Sequence, residues 1–194
     1  MVLMSPWRAR LPKITAITLA VITAAVLLRG VLTPAASTPV VTASSTPAPT
    51  GPGIGHLAPD ATLLDLSGKP VKLSSLRGKV LVLNFWYVAC SPCQIEMPAL
   101  EKTYLAEQAN GFEVVGLDTA DSAADITTFV THLGVTYPIL RDTNLSAVDA
   151  FGVTATPTSY VIDKRGVIRD RILGPVDQAS LAKEVASLVK ESSG

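Results

Sequence analysis

The stretch "NFWYVACSPCQIEMP", Asn84 to Pro98, decides how the chain is read, because it holds both of the chain's cysteines. Such a couple, Cys90 and Cys93, can be a redox pair, half of a metal site or a small structural staple. The run "KVLVLNFW" before it is continuously apolar, as expected of a central strand covered on both faces. A helix is predicted to begin near the cysteines and to run toward Gln108. Cys90 therefore falls at a strand-to-helix junction. Pro92 is tolerated there, because first-turn amides have no intrahelical partner. A thiol at that end faces unpaired N–H groups and the positive end of the helix dipole. Both favour thiolate, so the thiol of Cys90 is expected to ionise below the free value of about 8.5.

Cys93 lies one turn further in and is expected to be buried beneath an exposed Cys90. That arrangement predicts attack and resolution. Cys90 attacks a target disulfide, and Cys93 attacks the mixed disulfide to release the product. No Lys, Arg or His occurs between Tyr87 and Pro98. The expected activation is therefore moderate, with a poise nearer a reductant than a strong oxidant. The rival readings are weaker. A tetrahedral zinc site needs about four ligands, and His56 and His132 lie far from the pair in sequence. A purely structural disulfide would close a loop of about four residues and add about 2 kcal/mol at most.

The rest of the chain sets the compartment. Of 194 residues, 48% are apolar, and the mean hydropathy is +0.39. That excess is local. "RARLPKITAITLAVITAAVLLRG" has three bases followed by an uncharged run from Ile14 to Leu28. The run suits a signal-peptide core and is shorter than the roughly 20 residues that span a bilayer. It can extend through Leu32 if Arg29 snorkels to the headgroups. Residues 1–32 are read as a signal anchor, or alternatively as a cleaved signal. Either places the bases inside and the remaining chain outside the cell membrane. Residues 33–55, "TPAASTPVVTASSTPAPTGPGIG", carry no charge and no periodicity, and read as a disordered Pro/Ser/Thr/Ala tether. At about 3.1 Å per residue it would reach roughly 70 Å.

From His56 onward there are twelve bases and sixteen acids, a net of −4. A mildly acidic domain without basic clusters argues against nucleic acid. Here the coarse order is β-β-β-α-β-α-β-α-β-β-α, from "DATLLDL" and "KPVKL" as an opening hairpin to "DQASLAKEVASLVKE" as a closing amphipathic helix. It predicts a mixed α/β sheet with helices on both faces.

"VLVLNFW", "CSPCQIEMPAL" and "FGVTATPTSYVID" together resemble the TlpA-like and ResA-like thioredoxins, exported and often membrane-anchored thiol–disulfide oxidoreductases of bacteria. The likeness covers roughly His56 to Val189. It implies a thioredoxin fold with an N-terminal β-hairpin extension and an inserted helix, Cys90 as nucleophile, and Cys93 as resolving thiol. It implies no cofactor beyond the redox-active Cys90–Cys93 disulfide. It also implies a cis Thr156-Pro157 bond beside the pair, whose Thr156 backbone is left open to an extended substrate. Glu96 matches the family's acidic residue near the second cysteine. Three residues past Cys93 it shares a helix face, and burial would let it accept the Cys93 proton. A solvated helix glutamate is the bland alternative. Trp86 is expected to flank the pair as a substrate contact, with a core tryptophan as the alternative.

Two positions depart from the family pattern. Asn84 stands where many thioredoxins have aspartate, which leaves proton transfer to Glu96 alone. Ala89 stands where tryptophan is common, which should widen access to Cys90. A peroxiredoxin-type thiol peroxidase and a copper-binding assembly factor share the fold and are the rival functions. The first is expected to carry Thr at the position of Tyr87. The second uses a wider cysteine spacing plus a histidine. The expected protein is a monomeric, membrane-anchored extracytoplasmic reductase of protein disulfides. A membrane electron donor recharges it, and apocytochrome c is among the candidate clients.

Overall fold

The computed structural model describes residues 48–191. The expected signal anchor (1–32) and most of the expected tether (33–55) lie outside the described residues. The elements are β1 (Thr62–Asp65), β2 (Pro70–Lys72), β3 (Val80–Trp86), α1 (Ser91–Glu107), β4 (Phe112–Asp118), α2 (Ala123–Leu133), β5 (Ile139–Arg141), α3 (Ser146–Phe151), β6 (Thr158–Ile162), β7 (Ile168–Leu173) and α4 (Gln178–Lys190). They form one seven-stranded sheet in the order β2-β1-β5-β4-β3-β6-β7. Strands β3, β4 and β5 are mutually parallel, and β6 and β7 run antiparallel beside β3. The opening hairpin adds to the far edge, where β1 pairs antiparallel with β5.

The centre of the sheet explains the apolar run in the sequence. Every residue of β3 is buried, since the strand has neighbours on both sides and layers on both faces. Successive residues then point to opposite faces. Val80, Val82 and Trp86 join Cys90, Cys93, Met97 and Leu100 of the α1 side, together with Ile126 of α2 and Leu181 of α4. Leu81, Leu83 and Phe85 join Phe151 of α3 and Tyr160 of β6 on the other face. Helix ends follow local chemistry. Ser122 caps α2 by accepting the Asp125 amide, and Gly134 closes it at φ 69°, a left-handed angle that glycine adopts without steric cost.

Hydrogen bonding among the described residues reaches to the N-terminal side of His56. Leu57 donates its amide to the Pro49 carbonyl and accepts the Gly51 amide, closing a turn. The turn is tied to β7 by Gly55 N–H to the Ile168 carbonyl and Ile168 N–H to the His56 carbonyl. The expected boundary at His56 therefore falls inside a hydrogen-bonded turn.

Candidate active site

Strand β3 ends at Trp86, and a tight turn follows in which the Cys90 amide donates to the Tyr87 carbonyl. Cys90 is the N-cap of α1. Its extended backbone (φ −81°, ψ 97°) lets its Sγ accept the Cys93 amide at 3.3 Å. The sulfur occupies the place usually taken by a serine or aspartate oxygen, against an orphan amide of the helix end. Cys90 and Cys93 are joined in a disulfide with Cα atoms 5.3 Å apart. The loop between strand and helix is held from both sides. The Val88 amide donates to Asp121 Oδ2 at 2.7 Å, and Gln94 Nε2 donates to the Val88 carbonyl at 2.8 Å.

One expectation needs correction. Cys90 is not exposed in this disulfide form: it is 3% exposed, against 0% for Cys93. The capping turn folds its sulfur inward over the α1 side of the core, and Ala89 and Ser91 take the solvent instead.

Glu96 lies on α1 one turn past Cys93 and is 1% exposed. Both of its carboxylate oxygens accept hydrogen bonds. Asn84 Nδ2 donates to Oε1 at 2.7 Å, and the Val176 amide donates to Oε2 at 2.9 Å. Burial pushes the carboxyl up to about 7, against those two donors, which favour the charged form. Asn84 is itself buried and also donates to Ser159 Oγ at 2.9 Å. Its amide cannot titrate, but it has a definite job: it orients Glu96 and leaves it the sole carboxylate at this spot.

Trp86 is a second correction. It is fully buried, stacked on Phe129 with ring centroids 5.7 Å apart, and cannot touch a substrate. Gly116 on the adjacent strand, opposite Asn84, makes this possible. A Cβ on Gly116 would lie 3.0 Å from Trp86 Nε1, 3.1 Å from the Tyr137 ring and 2.7 Å from Ile139 Cδ1. The missing side chain is the space the indole occupies. Trp86 Nε1, the Tyr137 hydroxyl and Asn84 Oδ1 have no hydrogen-bond partner among the described residues.

Thr156-Pro157 is cis, as the family likeness implies. Its position follows from register: β6 begins at Thr158, opposite Phe85, so Pro157 sits beside the end of β3 from which the cysteine loop departs. The Pro157 carbonyl accepts the Gly174 amide at 2.9 Å, which fixes this loop to the end of β7. Thr156 is half-buried. Two residues that sequence reasoning missed stand out on the same end. Ile95 on α1 is 75% exposed, and Leu173, opposite Thr158 on β7, is 67% exposed. Neither carries a sequence signal, because an exposed aliphatic side chain becomes informative only once its neighbours are known. Among the described residues, no group of three or more His, Cys, Asp or Glu side chains is placed to hold a metal ion.

The profile of the AhpC/TSA family matches residues 54–171. The chain belongs to the AhpC/TSA family. It is 32% identical over 139 residues to the thiol-disulfide oxidoreductase ResA of Geobacillus thermodenitrificans, covering 72% of this chain and 80% of that one. ResA of Bacillus subtilis is 32% identical over 142 residues, covering 72% and 79%. Among solved structures, a putative protein disulfide isomerase from Bacteroides thetaiotaomicron superposes with a TM-score of 0.66 at 33% identity, covering 72% of this chain and 91% of that one. This AhpC/TSA member is thus a thiol–disulfide oxidoreductase with a thioredoxin fold. The cysteine pair at the end of its central strand is the feature that sequence and geometry both single out.

Proposed function

We propose that the protein is an extracytoplasmic, membrane-anchored reductase of protein disulfides. One observation carries the chemistry: the Cys90–Cys93 disulfide caps α1, and a buried carboxyl poised near neutrality lies one turn below it. In the reduced protein Cys90 is the attacking sulfur, since the amino end of α1 favours its negative charge. Its thiolate displaces one sulfur of a client disulfide, forming a mixed disulfide and a client thiolate that takes up a proton. Cys93 then loses its proton to the Glu96 carboxylate and attacks Cys90 Sγ. That step forms the Cys90–Cys93 bond and expels the second client thiolate. The client gains two electrons and two protons, and the enzyme loses the same.

The Thr156 backbone beside Pro157 takes the extended client segment, and Ile95 and Leu173 form an apolar rim for it. The anchoring rests on the bases and apolar run of residues 8–32. Among the described residues, no helix is long and apolar enough to cross a membrane. A reductase in an oxidising compartment must be recharged, so a membrane protein supplies the electrons. Exported cysteine proteins, apocytochrome c among them, are the client class.

Insulin reduction driven by dithiothreitol tests the reading. Activity is expected to vanish in Cys90→Ser, and Cys93→Ser should accumulate a mixed disulfide with the client. Consumption of peroxide that survives Cys93→Ser would overturn it in favour of a peroxidase. Stoichiometric copper retention would overturn it in favour of a metallochaperone.

A further inference from the structure

The cysteine loop is anchored by a carboxyl arrangement that the exchange chemistry above does not use. Strand β4 ends at Asp118, directly opposite Trp86 in the parallel ladder. The chain then turns beneath the cysteine loop. The Thr119 amide donates to the Trp86 carbonyl at 3.2 Å. Asp118 Oδ1 accepts the amides of Ala120 at 3.0 Å and Asp121 at 2.7 Å. Asp121 Oδ2 in turn accepts the Val88 amide, two residues before Cys90. Three short hydrogen bonds therefore run from the end of β4 to the root of the nucleophile's loop.

The other oxygen of Asp118 is the anomaly. Asp118 is 2% exposed, and its Oδ2 is buried without a partner among the described residues. An ionised carboxylate buried with a bare oxygen is costly. The Asp121 side chain is a neighbour of the Asp118 carboxyl, and the Asp121 amide sits on Oδ1. Two neighbouring carboxyls are reconciled by one proton between them. Charges facing the pair come from β5 and its continuation, where Arg141 and Asp142 line the same cavity of about 160 Å³. Neither competes for the site. Asp142 is occupied by the amides of Ala147 and Val148, and Arg141 makes no ion pair with Asp118 among the described residues. The cysteine loop contributes the donating amide of Val88.

We propose that Asp118 is a positioning residue for Cys90: it shares one proton with Asp121, and that proton keeps Asp121 aimed at the Val88 amide. Burial, with the Asp121 carboxyl beside it, pushes Asp118 up to about 6, against the two loop amides. Below that pH the shared proton is present and the loop is held. Above it two like charges face each other, Asp121 is repelled, and the Val88 bond weakens. The consequence for catalysis rests on Cys90 being the attacking thiol; the anchoring itself does not.

Hydrogen–deuterium exchange of the full-length oxidised protein, followed in the peptide containing Val88, tests the anchoring without any thiol chemistry. Asp118→Asn replaces the shared proton with a permanent amide donor and should protect Val88 equally at pH 5 and pH 7.5. Asp118→Ala has no donor and should leave it less protected at both, by about tenfold. Wild type should match Asp118→Asn at pH 5 and approach Asp118→Ala at pH 7.5, each rate being corrected for intrinsic exchange. In reduced protein, the alkylation midpoint of Cys90 should differ between the Asn and Ala variants. Val88 protection that is independent of pH in wild type, or equal in all three proteins, would overturn the inference. That failure would leave the reductase reading intact, because the cysteines are spectators in the exchange measurement.

Discussion

The two faces of the sheet are built from one set of strands and differ in how they treat polar atoms. On the α3 face, Phe85, Phe151 and Tyr160 form a closed aromatic cluster, with Phe151 and Tyr160 centroids 5.0 Å apart. The one polar head in that cluster, the Tyr160 hydroxyl, donates to the Phe151 carbonyl. On the α1 face, Asn84, Glu96, Trp86 and Tyr137 are just as buried, yet Trp86 Nε1, Tyr137 Oη and Asn84 Oδ1 find no partner among the described residues. The Tyr137 hydroxyl is pushed upward by burial and by the nearby Glu96 and Glu101 carboxyls. The disulfide face leaves these core polar atoms unpaired, whereas the aromatic cluster of the other face satisfies its own hydroxyl; the orphan there, among the described residues, is Arg171 Nε, at the rim of the Tyr160 ring.

The largest expected effect breaks the satisfied aromatic cluster. Phe85→Ala should cost about 3–5 kcal/mol in urea unfolding, while the surviving folded protein keeps its rate of insulin reduction. Equal loss of both would mean that the two faces are not separable. Next is the charge on the reactive face. Glu96 is raised from 4.5 to about 7, so its ionisation opposes folding. The Glu96 contribution to stability should be fullest below pH 4.5 and should fall as pH rises through 7, by roughly 3 kcal/mol at most. Glu96→Gln should flatten that fall and slow exchange near neutral pH, and a variant with the wild-type slope would locate the titration elsewhere. The smallest effect is the sharpest comparison. Tyr160→Phe removes a satisfied hydroxyl and should cost about 1 kcal/mol. Tyr137→Phe removes an orphaned one and should be neutral or stabilising by up to about 1 kcal/mol. The same sign for both would erase the distinction.

The order of strands and helices was legible because each element carries its own local signal. β3 is an unbroken apolar run, α2 is spaced at helical intervals and ends at a glycine, and the β6–β7 hairpin turns at Lys164-Arg165-Gly166. The cysteine pair was legible for the same reason. Other features are long-range products. Val176 reaches Glu96 across 80 positions, and Asp121 reaches Val88 across 33, with nothing in either stretch to announce the partner. The burial of Trp86 depends on Gly116, thirty positions on in an adjacent strand, and a glycine inside a strand does not say what fills its space. The inward fold of Cys90 was missed because a cap is a geometric role, which serine or aspartate would fill equally well.

The turn at residues 49–57 bears on how the molecule carries force. It is fastened to Ile168, and β7 reaches the catalytic end only at Leu173, so the turn sits at the opposite end of β7 from the disulfide. A pull applied at residue 49 would be taken up by the first rungs of an outer strand. The sulfur-bearing end lies off that load path, so a pull entering there would leave the disulfide loop unloaded.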